Sequence, residues 1–122
     1  MTEERYFGIL STIIYEGGKV PVDEEAEFTA TLIYRITNGY DPTTEEIEYI
    51  YKTYPCVDIR DTVDDGRILS ELIYKFNGKF YLTSMYYDYW DGFEYESAAP
   101  FVEVELKKVV VETEEWVEKE NV

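Results

Sequence analysis

Aromatic and acidic side chains alternate most densely between residues 86 and 96, in the run YYDYWDGFEYE. Alternate residues of a strand lie on opposite faces, so only one face of a hairpin in this run can pack on a core. The other face would expose aromatic rings beside carboxylates, a combination that suits lysine and arginine side chains on a partner protein. The predicted partner-binding residues of this hairpin are Tyr86, Asp88, Tyr89, Asp91, Glu94 and Glu96. The alternative is that both faces are covered, one of them by a helix at 43–54.

A second acidic patch, Glu45 and Glu48, has the spacing of neighbours on one helix face, ~5–6 Å apart. Glu103 and Glu105 have strand spacing, ~6.7 Å. Phosphates follow one strand of DNA on a comparable scale, with ~3.4 Å of axial rise per step plus the rotation around the helix. Either pair could therefore imitate a run of phosphates and occupy the basic groove of a nuclease or another DNA-handling enzyme.

The segment Glu105-Leu106-Lys107 offers an alternative, catalytic chemistry. It resembles the Glu-x-Lys element of the PD-(D/E)xK nucleases, which implies a metal-dependent nuclease. By that resemblance Glu105 and an upstream acid, Asp88 or Asp91, would hold the metal, and Lys107 would stabilise the attacking water. The pattern lacks the Pro-Asp that the family places upstream, and a solvated Glu/Lys face on a strand is the favoured interpretation.

The composition excludes most other active sites. The chain has 122 residues with 27 Asp and Glu against 11 Lys and Arg, a net charge of −16, no histidine and a single cysteine, Cys56. Without histidine there is no Ser-His or Cys-His catalysis and no imidazole metal ligand, and without a second cysteine there is no disulfide within the chain. We therefore expect no enzyme activity, no catalytic residues, no cofactor and no bound metal.

The acidic charge also restricts the partners. It disfavours direct binding of nucleic acid and of anionic membranes, and it favours a host protein with a basic surface or groove. The chain is nevertheless 45% hydrophobic and 17% aromatic, enough for a core, and we expect a single domain over 1–122. No apolar run reaches the ~18 residues of a membrane span, and the first residues lack the pattern of a secretory signal, so we expect a cytoplasmic location in a host cell.

Two segments near the N-terminus predict strands. Residues 5–15 are rich in β-branched and aromatic side chains and are followed by a Gly-Gly pair. Residues 27–37 alternate apolar and polar side chains, which favours a strand over the alternative of a helix. Residues 9–15 (ILSTIIY) and 68–74 (ILSELIY) are identical at five of seven positions, and both lie in predicted strands.

Residues 43–54 carry the signals of a helix. Thr43 and Glu46 have the spacing of a capping box, and Pro55 would end the helix. Further along the chain, Asn77-Gly78 predicts a type I′ turn between strands at 67–76 and 79–90. This turn pairs Tyr74 with Tyr81, and it creates a core face of Ile68, Leu72, Tyr74, Tyr81, Met85 and Tyr87.

The end of the chain predicts two more strands. Asp91-Gly92 marks a turn into residues 93–96, and residues 101–117 alternate as a long strand with a bulge at Lys107-Lys108. Together these elements predict an α+β fold, with a mainly antiparallel sheet built as a meander of hairpins and one or two helices packed on one face.

Dense Asp and Glu with many tyrosines, in one domain of this size, resembles small phage-encoded inhibitors of host defence, which include anti-restriction proteins, anti-CRISPR proteins and other DNA mimics. The segment 80–117 also resembles the closing strands of many phage proteins. The resemblance implies a non-catalytic protein that blocks a host defence or DNA-handling protein, with a phage structural or accessory protein as a further alternative. Members of this class share no common fold, so the resemblance assigns no residue roles.

Overall fold

Three helices precede a five-stranded antiparallel sheet in the computed structural model, which describes residues 1–110 and 112–119. The helices are α1 (Glu3–Glu16), α2 (Glu25–Thr37) and α3 (Thr44–Thr53). The strands are β1 (Asp58–Asp64), β2 (Arg67–Phe76), β3 (Lys79–Asp88), β4 (Gly92–Phe93) and β5 (Val102–Val104). Short 3₁₀ helices at Val22–Glu24 and Tyr95–Ser97 precede α2 and follow β4. The sheet is open, with β4 and β5 both paired to β3, and the predicted α+β class is confirmed.

The first predicted strand, 5–15, is wrong because these residues form α1. The Thr2 side chain caps the helix by accepting a hydrogen bond from the backbone N–H of Arg5 (3.2 Å), and Gly17 ends it with φ 71°. Tyr6, Ile9 and Leu10 are buried along one face. The apolar residues therefore follow the period of a helix, which β-branched composition alone does not reveal.

The second predicted strand, 27–37, is also wrong, and its alternative is correct, because the segment lies in α2. Phe28, Leu32 and Ile36 are buried at intervals of four, the spacing of one helix face. A polar threonine of this segment is accommodated within the helix. The Thr31 hydroxyl donates to the Glu27 carbonyl (2.8 Å), so its polar group is satisfied.

The predicted helix 43–54 is confirmed as α3, which begins with the predicted capping box. The Glu46 side chain of this capping box also contacts the other two helices. Glu46 accepts from the backbone N–H of Thr43 (3.0 Å), although its side chain is only 1% exposed. The same carboxylate accepts from the Tyr6 hydroxyl of α1 (2.7 Å) and from Arg35 Nε of α2 (3.0 Å). Burial and this bond to Glu46 raise the pKa of Tyr6 far above its ordinary value. The buried carboxylate is thus fully hydrogen-bonded and links one residue from each helix.

The central hairpin forms with the predicted register, which pairs Tyr74 with Tyr81. Asn77 (φ 51°) and Gly78 (φ 78°) both adopt the left-handed conformation that a type I′ turn requires. Four members of the predicted core face are buried and two are half-buried. The buried members are Leu72, Tyr74, Tyr81 and Met85; the half-buried ones are Ile68 and Tyr87. The four buried members join one hydrophobic cluster with buried residues of all three helices, so the helices lie on this side of the sheet.

The two edges of the sheet differ in structure. Every residue of β1 is exposed, and β1 forms the edge of the sheet beside β2. On the other side, the predicted strand 101–117 is wrong in length: β5 covers only 102–104, and residue 111 lies outside the described residues. Val104 pairs with Phe80, so the next positions reach Lys79 and the Asn77-Gly78 turn, where the sheet ends. Residues after 106 have no strand beside them, and the predicted bulge at 107–108 does not form.

Among residues 1–110 and 112–119, no helix has the length and apolar character that crossing a membrane requires.

Candidate functional site

Two turns meet at one end of the sheet. One is Asp65-Gly66 between β1 and β2, and the other is residues 89–91 between β3 and β4. The pairs Asp64–Arg67 and Asp88–Gly92 close the two turns. We call this surface, residues 64–67 and 86–94, the turn end. It carries five carboxylates and one guanidinium, a net charge of 1 − 5 = −4.

Two aromatic side chains project from the turn end. Tyr89 is 79% exposed and Trp90 is 87% exposed, and their rings meet edge to face with centroids 5.6 Å apart. The carboxylate of Asp88 holds the turn beneath them, because its Oδ1 accepts from the backbone N–H groups of Trp90 (2.7 Å) and Asp91 (3.1 Å). The aromatic pair is therefore presented by a fixed turn, with the exposed Asp91 beside it.

Arg67 contacts two further side chains of the turn end, Tyr86 and Glu94. Its guanidinium lies 3.8 Å from the centroid of the Tyr86 ring and pairs with the Glu94 carboxylate. The Tyr86 hydroxyl donates to Asp64 Oδ2 (2.8 Å), and this bond raises the pKa of Tyr86 above its ordinary value. Tyr86 and Glu94 thus have partners within the chain, and the one cation of the turn end is already paired.

The remaining predicted binding residues lie beside the turn end or away from it. Glu96 is exposed in the 3₁₀ helix that follows β4, and Glu48 lies close enough to add to burial in raising the pKa of Tyr95. Glu45 faces α1 instead, where its carboxylate accepts from the Tyr15 hydroxyl and its pKa is lowered by that bond. Glu48 also lies near this hydroxyl, since the charges of both carboxylates add to the bond and to burial in raising the pKa of Tyr15. The two members of the second patch thus lie near each other on α3.

The residues of the nuclease alternative are not brought together. Glu105 follows the Val104–Phe80 pair at one end of β3, whereas Asp88 closes the other end. Nine residues of strand separate these positions, roughly 30 Å. Glu105 pairs instead with Lys107 (3.5 Å), and both side chains are exposed. Among the described residues no group of three or more potential acidic or cysteine ligands is placed to hold a metal ion.

Comparison of the chain with family models, curated proteins and solved structures gives no match. The chemistry of its own surface is therefore the basis for assigning it a function.

Sequence reasoning missed Trp90 and Arg67 as members of the site. The sequence contains a signal for Trp90. Asp88 and Asp91-Gly92 are residues typical of a turn, and the residues between them, which include Trp90, are then expected to face solvent. The signal for Arg67 was absent, because Arg67 lies far along the chain from Tyr86 and Glu94 and meets them only when β2 and β3 pair.

Proposed function

We propose that this protein is a non-catalytic binding protein whose turn end docks on a basic surface of a host protein and blocks it, within the cytoplasm of the host cell. The observation that carries the proposal is the exposed pair Tyr89 and Trp90 standing on an acidic turn. Aromatic side chains give a large contact area at a small cost in conformational entropy, and they dominate the binding energy of many interfaces. The exposed carboxylates of Asp65 and Asp91 would select a partner rich in lysine and arginine.

The arrangement supports an aromatic anchor better than a run of phosphate-like charges. Of the pairs with phosphate spacing, Glu103 pairs with Lys79 (3.5 Å) and Glu105 with Lys107 (3.5 Å). Glu45 is bound to Tyr15 and Glu48 lies 3.7 Å from Lys52. A DNA mimic needs its carboxylates free to meet a basic groove, whereas Asp91, Tyr89 and Trp90 are exposed together. We therefore assign the contact to the turn end, with mimicry of nucleic acid as the less supported form of the same function.

Affinity capture from host lysate tests this proposal when wild type is compared with matched variants. Trp90→Ala should weaken capture of the partner more than ~10-fold, the loss typical of an interface anchor. Val22→Ala is the control, because Val22 is equally exposed but lies in the 3₁₀ helix before α2. A partner captured equally by wild type and by Trp90→Ala would contradict the assignment to the turn end.

The response of the complex to salt distinguishes an aromatic anchor from mimicry of nucleic acid. Exposed charges are screened within ~4–5 Å at 0.5 M salt, by interpolation between ~10 Å at 0.1 M and ~3 Å at 1 M. An aromatic anchor predicts that capture persists in 0.5 M salt with a reduced association rate, whereas phosphate mimicry predicts that the complex is lost. Loss in 0.5 M salt together with insensitivity to Trp90→Ala would replace the aromatic anchor with mimicry.

A further inference from the structure

A guanidinium group lies against an aromatic ring and a carboxylate at the turn end. The central carbon of the Arg67 guanidinium is 3.8 Å from the centroid of the Tyr86 ring, and the same group pairs with the Glu94 carboxylate. The Arg67 side chain is 53% exposed, so this arrangement holds at the surface of the molecule, in contact with water. The turn end thus contains one example of a ring and a carboxylate that bind arginine together.

Arg35 has the same kind of surroundings among the helices. Its guanidinium lies 4.8 Å from the centroid of the Phe7 ring and 4.9 Å from the centroid of the Tyr40 ring. The Glu46 carboxylate accepts from Arg35 Nε (3.0 Å). Two of the four arginines of the chain therefore combine a contact to a ring with a bond to a carboxylate.

The chemistry of the guanidinium explains this combination. The group is planar and more weakly hydrated than an ammonium, so its face packs on an aromatic ring at a small cost in desolvation. Its N–H groups point outward in the same plane and remain free to donate to a carboxylate beside the ring. A lysine ammonium is a compact, strongly hydrated charge without such a face. A ring beside a carboxylate therefore favours arginine over lysine.

Trp90 and Asp91 present the same two groups, a ring and a carboxylate, to solvent. Trp90 is 87% exposed, and indole gives the strongest cation–π contact of the aromatic side chains. Asp91 is the next residue and is exposed, and among residues 1–110 and 112–119 no ion pair involves it. The Asp88 hydrogen bonds hold the backbone of this turn, so the two groups are presented before a partner binds.

The turn end does not itself supply a cation to this ring and carboxylate. Arg67 is the one Lys or Arg among residues 64–67 and 86–94, and it is held by Tyr86 and Glu94. The five carboxylates around it give the turn end its negative charge. This charge attracts a cationic side chain of another molecule to the exposed indole.

We propose that Trp90 and Asp91 bind the guanidinium of an arginine side chain of the partner, and that the turn end thereby selects arginine over lysine. The guanidinium stacks on the exposed Trp90 indole and donates to the Asp91 carboxylate, in the arrangement that Arg67 already has. This proposal rests on the function proposed for the turn end, and it names the side chain of the partner that the turn end contacts.

Two labelled peptides of equal length and charge, hexa-arginine and hexa-lysine, test the proposal. Fluorescence anisotropy measures the dissociation constant of each peptide with the full chain at ~0.1 M salt, where exposed charges still act over ~10 Å. Attraction by the acidic surface is common to both peptides, so the ratio of their affinities reports the contact that only a guanidinium makes. Wild type should bind hexa-arginine at least ~3-fold more tightly than hexa-lysine, the size of one exposed cation–π contact.

Trp90→Ala should reduce this ratio to ~1, because it removes the ring. Trp90 is almost fully exposed, so the substitution leaves the core intact. Tyr34→Ala is the control, since Tyr34 is an exposed aromatic residue on α2 and should leave the ratio unchanged. Equal affinity of wild type for the two peptides, or a ratio that Trp90→Ala leaves unchanged, overturns the proposal.

The role of the carboxylate is tested by a second pair of variants that each lose one negative charge. Asp91→Asn should weaken the binding of hexa-arginine more than Asp23→Asn does, because Asp23 is exposed in the 3₁₀ helix before α2 and lies outside the turn end. Equal effects of the two substitutions would mean that Asp91 acts only through the net charge, which contradicts its assignment to the arginine contact.

Capture of the host partner distinguishes failure of this proposal from failure of the proposed function. Loss of capture in Trp90→Ala, together with equal affinity for the two peptides, would mean that the turn end binds its partner through other chemistry, which overturns the arginine contact alone. Unchanged capture in Trp90→Ala, together with a preference for hexa-arginine that depends on Trp90, would overturn the proposed function and support the arginine contact.

Discussion

The carboxylate of Asp88 determines the shape of the turn that presents Tyr89 and Trp90. It closes the turn by accepting hydrogen bonds from the backbone N–H groups of Trp90 and Asp91. The sequence did not predict this role, and the partner contact expected of Asp88 stays a prediction. The exposed acid that remains beside the aromatic pair is Asp91.

Comparing two uncharged replacements of Asp88 isolates these hydrogen bonds. Asp88→Ala should lower the free energy of unfolding by ~1–2 kcal/mol, because two turn N–H groups lose their acceptor. Asp88→Asn keeps an acceptor oxygen in the same place and should cost less than half as much. Urea unfolding measures both changes. Equal losses in the two variants would mean that charge, rather than hydrogen bonding, is what Asp88 contributes.

Near-identical segments adopt different elements within this chain. Residues 9–15 lie in α1 and residues 68–74 lie in β2, although five of seven positions match. The shared tyrosine shows the difference, since Tyr15 is 69% exposed and Tyr74 is 1% exposed. Local propensity does not distinguish the two settings. The N-terminal segment has a capping Thr2 and apolar residues with helical spacing, whereas the second segment is held by the Asn77-Gly78 hairpin.

Replacing two glycines by alanine should change the free energy of unfolding in opposite directions, because one glycine lies in a helix and the other in a tight turn. Gly8 lies inside α1, where an added Cβ would meet nothing within 4 Å, so Gly8→Ala should raise the free energy of unfolding by ~1 kcal/mol. Gly78 has φ 78°, so Gly78→Ala should lower it by ~1–2 kcal/mol through strain in the hairpin turn. Chemical unfolding of both variants measures the two shifts. A loss of stability in Gly8→Ala would contradict the assignment of residues 3–16 to a helix.

The parts of the fold that the sequence predicts correctly are those determined by short-range rules. The capping box of Thr43 and Glu46 and the Asn77-Gly78 turn each involve a few neighbouring residues, and both are confirmed. The helices α1 and α2 were predicted as strands, with a helix as the alternative for α2, because β-branched composition and alternating apolar residues also fit a strand. The length of β5 could not be predicted because it depends on where β3 begins. Within the site, the surroundings of Tyr86 depend on Arg67, which only strand pairing brings near.

The whole molecule should lose stability at alkaline pH because its core contains tyrosines. Burial raises the pKa of Tyr74 well above the ordinary value of 10.0. Below pH ~10 the phenol is protonated in both states, and its contribution to stability is complete. As the pH rises above ~10 the unfolded chain releases the proton first, so the free energy of unfolding falls until the folded-state pKa is passed.

Tyr74→Phe tests the origin of this alkaline loss. The variant should show a smaller fall in the free energy of unfolding between pH 9 and pH 11, measured in urea, than wild type shows. Tyr34→Phe is the matched control, since Tyr34 is exposed on α2 and should leave the fall unchanged. A fall of the same size in wild type and in Tyr74→Phe would mean that other groups cause the loss.

The exposure of β1 has a consequence for how the molecule avoids aggregation. The seven residues of β1 pair with β2 on one side only, and the backbone groups on the outer side of such an edge strand are a template on which another strand can add. Asp58, Arg60, Asp61 and Asp64 place a charge at four of its seven positions. Joining two such edges would bring like carboxylates together and remove water from them, so we expect these charges to disfavour pairing of β1 with another strand.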